Sequence, residues 1–262
     1  MKIMLVWIVY VLVAIHAPPS LGFHHVLPRH INHKPTQVIA GVTVMDTPLV
    51  RAAQAYAREV SSTVLYNHVM RTWLYGALVV SHNTTLQEII DLEVHAIGSM
   101  LHDLGLVLNG TWISQDRRFE VDSAFATIDF VEKHLQHDRN EVSGAWDANR
   151  LQLLFDSVLL SSEYKFSLYK QSTVTLVITG VLVDVRGIEE QSHDITTAEY
   201  DSVEAAFPRL DFISGVNQTL VELCATKPNS TYDSWQQAFG DAFVPGYSAE
   251  GSRFVDIFGH SH

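Results

Sequence analysis

The stretch "HAIGSMLHDLGL", residues 95–106, sets His102 and Asp103 in the middle of an apolar run. Burying a carboxylate is costly unless it finds a partner, shifts its pKa or binds a cation. His-Asp occurs twice more, at His137-Asp138 and His193-Asp194, but those neighbours are polar and read as solvated loops or helix ends. Asp103 could pair with an arginine or cap a helix, with His102 a satisfied core histidine. A second apolar stretch, "VLYNHVMR", offers His68, and "TVTLVITGVLVD" carries Asp184 as its single charge. If the helices bearing them pack together, two imidazoles and two carboxylates converge. That donor set suits one divalent transition ion, zinc first, with iron or manganese as alternatives. Such a cation lowers the pKa of a coordinated water toward about 7, the chemistry of a hydrolase or hydratase.

Helices must hold these side chains in place. Thr47 and Pro48 form a start signal, and "LVRAAQAYAREV" continues with helical periodicity. His68 belongs to a second helix, "TVLYNHVMRTWLYGALVVSH". A third, opened by Thr85 and closed by Gly105, carries His95, His102 and Asp103. His95 lies roughly on the face of His102 and is expected to be a core or partly exposed histidine, with a supporting role behind a metal ligand as the alternative. "SAFATIDFVEKHL", "AWDANRLQLLFDSVLLSS", "TAEYDSVEAAFP" and "SGVNQTLVELCAT" are further amphipathic helices, and "STYDSWQQAFGDAF" closes the domain. The segment 172–187, "STVTLVITGVLVDVRG", reads as a strand by propensity. No other segment offers it a strand partner, so a buried helix is expected. Arg71, three residues after His68, is expected to pair with a carboxylate, and no Lys or Arg cluster adjoins His102-Asp103 in the sequence.

The chain has 262 residues, 47% hydrophobic and 18% charged, enough for one large domain with a substantial core. A formal charge of -12 argues against a nucleic-acid partner, which would need a basic face. The acidity itself names no partner, since it speaks mostly to solubility. The expected partners are a small-molecule substrate, from the site chemistry, with a homo-oligomer left open. Residues 1–22 read as a signal peptide: Lys2, an apolar run from Ile3 to Ile15, then "HAPPSLGF" with small residues before a cut. The run is short of the ~20 residues a membrane span needs, so no stable span is expected after cleavage. Secretion, or the lumen of the secretory pathway, agrees with glycan sequons at Asn83, Asn109, Asn217 and Asn229. Cys224 is the sole cysteine, which excludes an intrachain disulfide. Residues 23–45, with His24, His25, His30 and His33, are expected to be a flexible histidine-rich lead-in, and 46–262 the folded domain.

The spaced pattern of His68, His102-Asp103 and Asp184 resembles the HD-domain metalloenzyme superfamily. "DTPLVRAAQAYAREV", "YNHVMRTWLYG", "LHDLGL", "RFEVDSAFATIDF", "AFPRLDFISGV", "LCATKPNSTYDSW" and "FGDAFVPGY" are similar to segments of its fungal cyanamide hydratase-like branch, from about Asp46 to Tyr247. The resemblance implies an all-α fold, an HD-domain helical bundle around a buried metal held by His68, His102, Asp103 and Asp184. It implies addition of water to a small nitrile-like substrate, with Asp103 and Asn67 expected to act in catalysis. Metallophosphohydrolase activity, common in the wider superfamily, and a non-catalytic binding role are the alternatives. One position departs: Ser161, in "LLSSE", stands where members often carry a histidine, which bears on substrate choice.

Overall fold

The computed structural model describes residues 35–137, 146–188 and 194–259. The fold is mostly helical, as expected. The signal-peptide reading and the histidines of the lead-in fall outside the described residues, as do Asp138 and His193 of the other two His-Asp pairs. Structure begins earlier than Asp46. Thr36–Ile39 (β1) and Val42–Met45 (β2) form an antiparallel hairpin. Ala40 and Gly41 both take positive φ, the two-residue turn that matches strand twist. Val42, Val44 and Met45 are buried, so this end of the expected flexible segment belongs to the core.

Pro48–Val60 (α1) starts where its signal sits: Thr47 accepts from the Val50 amide. Thr63–Ser81 (α2) is capped by Ser62 and is buried almost without interruption from Leu65 to Val80. A helix buried on every side belongs at the centre of a bundle. The single third helix expected from Thr85 to Gly105 is instead two. Thr84–Ile89 (α3) is capped by Asn83, and Leu92–Leu101 (α4) restarts at Asp91, whose side chain accepts from the amides of Glu93 and Val94. The aspartate outcompetes helix continuation because it satisfies two otherwise unpaired donors. A 3-10 turn at Leu104–Leu106 then closes the segment.

Phe119–His137 (α5), Ala148–Leu159 (α6) and the short Tyr164–Ser167 (α7) lead to Ser172–Arg186 (α8). The segment 172–187 is thus helical against its β propensity. Its threonines make this tolerable by bonding to carbonyls: Thr175 Oγ1 to Ser167 O at 2.7 Å and Thr179 Oγ1 to Thr175 O at 2.8 Å. Gly180 lets α8 lie hard against α2, since a Cβ there would fall 2.2 Å from the Thr72 carbonyl oxygen. Thr197–Ala206 (α9), Phe212–Thr226 (α10), Gln237–Phe243 (α11) and Phe254–Gly259 (α12) complete the described chain. The last of these lies beyond "STYDSWQQAFGDAF", the segment expected to close the domain. Helices α2, α4 and α8 pack against one another at the centre. Among the described residues no helix is long and apolar enough to cross a membrane.

Candidate metal centre

His68 sits in the buried run of α2, and His102 caps the C-terminal end of α4 with Asp103 directly after it. The turn carrying the pair is tightly fixed. The Gly105 amide donates to Ser123 Oγ at 2.8 Å, and Trp112 Nε1 donates to the Leu104 carbonyl at 2.8 Å. Any side chain at 105 would run into the Phe119 carbonyl, 2.0 Å from an added Cβ. Asp184 enters from α8, near the end of the helix that Gly180 brings onto α2.

All four expected ligands lie in one buried cluster: His68 is 3% exposed, His102 2%, Asp103 6% and Asp184 0%. Their roles differ. His68 Nε2 lies 3.3 Å from Asp103 Oδ2, and His102 Nε2 lies 3.4 Å from the same oxygen. The opposite ring nitrogens are already committed. His102 Nδ1 donates to the Ser99 carbonyl at 2.8 Å, and His68 Nδ1 donates to Asp184 Oδ2 at 2.6 Å. With His68 neutral, both Nε2 atoms and the Asp103 carboxylate therefore face one another as acceptors; without an ion, a proton on His68 Nε2 pairs with Asp103 in its place. Three acceptors within 4.8 Å of one another, buried, call for a positive charge between them, and this group could hold a metal ion. Asp184, the expected fourth ligand, is not in that group. It stands behind His68, paired with Arg71 Nε at 2.6 Å.

The electrostatics follow from this arrangement. Burial opposes a charge on His68, but hydrogen bonds and attraction from Asp103 and Asp184 win and lift it to about 9. Burial, opposed by Asp103, lowers His102. Burial also works against ionised Asp103, yet the two imidazoles hold it below the usual carboxylate range. Asp184 falls to about 2: burial again opposes its charge, and His68 and Arg71 overcome it.

Asn67 spends its amide on the Pro208 carbonyl at 2.8 Å, and Arg71 Nη1 donates to the Phe207 carbonyl at 2.9 Å. Both tie the segment between α9 and α10 over the site. Phe212, at the start of α10, stacks on the His68 ring at 4.4 Å. Sequence reasoning missed Phe212 and Arg209, since neither belongs to a periodic or charged pattern that marks a site. The absence of basic residues near His102-Asp103 holds only along the chain. In space Arg71 and Arg209 both reach Asp184, Arg209 Nη2 at 3.1 Å from Oδ1. His95 is a core histidine, its ring against Gly76, and burial lowers its pKa to about 3. Ser161 is buried, and its hydroxyl has no hydrogen-bond partner among the described residues. Of the sequon asparagines, Asn83, Asn109 and Asn229 are exposed and Asn217 is half-buried in α10. No family model matches the chain, and no curated protein is detectably similar to it.

Proposed function

We propose that this chain is a secreted HD-type metalloenzyme, a hydratase that adds water to a small, uncharged, nitrile-like substrate of the cyanamide type. The observation that carries the reading is the buried face of three acceptors made by His68, His102 and Asp103. A divalent transition ion bound there, zinc first, would supply the Lewis acidity that makes water nucleophilic near neutral pH. The protein's own part is orientation and exclusion. Ser99 and Asp184 fix the two rings, Phe212 covers His68, and Asn67 and Arg71 hold the covering segment down. A site this closed suits a compact substrate. An uncharged one is favoured because the nearby guanidiniums are engaged: Arg71 with Asp184, and Arg209 with Asp184, Glu204 and Tyr200. One feature supports the competing phosphohydrolase reading: the Arg209 side chain, on the covering segment, keeps 31% exposure and could turn toward an anion.

The test assays metal-loaded protein on cyanamide, nucleotides and phosphodiesters side by side. Urea release without phosphate release is the expected result. Phosphate release would select the phosphohydrolase, and neither product from metal-loaded protein would remove both activities.

A further inference from the structure

Asp184 has no bonding capacity to spare for an ion. An ionised carboxylate offers about four lone-pair sites. Oδ2 accepts from His68 Nδ1 at 2.6 Å and from Arg71 Nη2 at 3.0 Å. Oδ1 accepts from Arg71 Nε at 2.6 Å and lies 3.1 Å from Arg209 Nη2. The Arg71 grip is bidentate, and its side chain is 0% exposed. Turning Asp184 toward a metal would leave a buried guanidinium or the His68 N–H without its acceptor, the more expensive outcome. Glu204 does not replace it: that carboxylate accepts from Tyr75 Oη at 2.7 Å and pairs with Arg209 at 2.8 Å.

On the metal reading above, we infer that three protein ligands hold the ion, His68, His102 and Asp103, and that Asp184 is a positioning residue acting through His68. Asp184 sets the His68 tautomer, aims Nε2 at the ion and makes that nitrogen more basic. Arg71 keeps the carboxylate in place. Three ligands instead of four leave more of the ion's coordination to water and substrate.

Cobalt(II), whose visible absorption reports its donor set, is titrated into chelator-treated full-length protein and into Asp184→Asn and Asp103→Asn variants. Asp184→Asn is expected to keep the absorption bands of the unsubstituted protein while binding about 10- to 100-fold more weakly. Asp103→Asn is expected to shift the bands or to take up no ion. In parallel, nitrogen-15 histidine NMR of the zinc-loaded unsubstituted protein should show His68 bound through Nε2 with a deshielded Nδ1 proton. Bands in Asp184→Asn displaced like those of Asp103→Asn overturn the inference, and so does a His68 ring bound through Nδ1. The NMR measurement decides the matter even if a variant does not fold. Unsubstituted protein that binds neither ion removes the metal reading and this inference together. Protein that binds the ion as expected but releases no urea leaves the inference standing and removes only the hydratase activity.

Discussion

His68 and His102 share a carboxylate neighbour yet lean opposite ways. His68 touches both Asp103 and Asp184 and is held protonated to about 9, whereas burial leaves His102 neutral. Metal-free protein therefore carries a proton on His68 at neutral pH that an ion must displace. Calorimetric titration in buffers of different ionisation enthalpy should show close to one proton released per ion at pH 7, and no release would contradict the assignment. The same shifts set the stability profile of the metal-free protein. A pKa raised on folding stabilises fully below the unfolded value, ~6.5, and that contribution fades as pH rises toward about 9. His95 runs the other way. Lowered to about 3, it contributes fully above ~6.5 and fades as pH falls. Asp103 and Asp184, both lowered, steepen the acid limb. Denaturant midpoints of chelator-treated protein should thus peak near pH ~6.5, and a profile flat from there to 9 would rule out the charged His68.

At the scale of elements, the centre depends on how closely α2, α4 and α8 approach. Gly180→Ala would drive a methyl into the Thr72 carbonyl and spread α8 from α2, the helices that carry Asp184 and His68. Overpacking of this kind costs about 1–3 kcal/mol. The variant should melt earlier and also bind metal less tightly, because Asp184 and His68 separate. Unchanged melting and affinity would mean the crossing has slack. Asp91→Ala should cost about 1 kcal/mol through the lost α4 cap, more if the Arg150 pair with Asp91 contributes, read from the shift in denaturant midpoint. The starts of α1 and α2 and the candidacy of His68, His102, Asp103 and Asp184 were legible because capping residues, periodicity and a charge in an apolar run are local signals. Their convergence depended on a helix packing that those signals do not carry. The break at Asp91 was not, since helical periodicity continues through it and only the cap geometry ends α3. The role of Asp184 was not legible either. Residue type separates a ligand from a ring-orienting carboxylate no better than it foretells where Arg71 and Arg209 will point.

For the whole molecule, the helical body and the hairpin packed on it form a scaffold around the buried histidine–aspartate cluster, one of several buried polar groups among the described residues. Expression through a secretory host should yield glycan at the exposed Asn83, Asn109 or Asn229. Glycosidase treatment followed by mass spectrometry reads this directly, and an unmodified chain would weigh against the secretory route. The centre itself is tested most directly by metal analysis of the full-length protein, purified without chelator, beside Asp103→Ala. About one equivalent of a transition metal in the unsubstituted protein, lost in Asp103→Ala while the helical circular dichroism persists, is the expected result. A protein that carries no ion and takes none up on incubation with zinc, iron or manganese would contradict it.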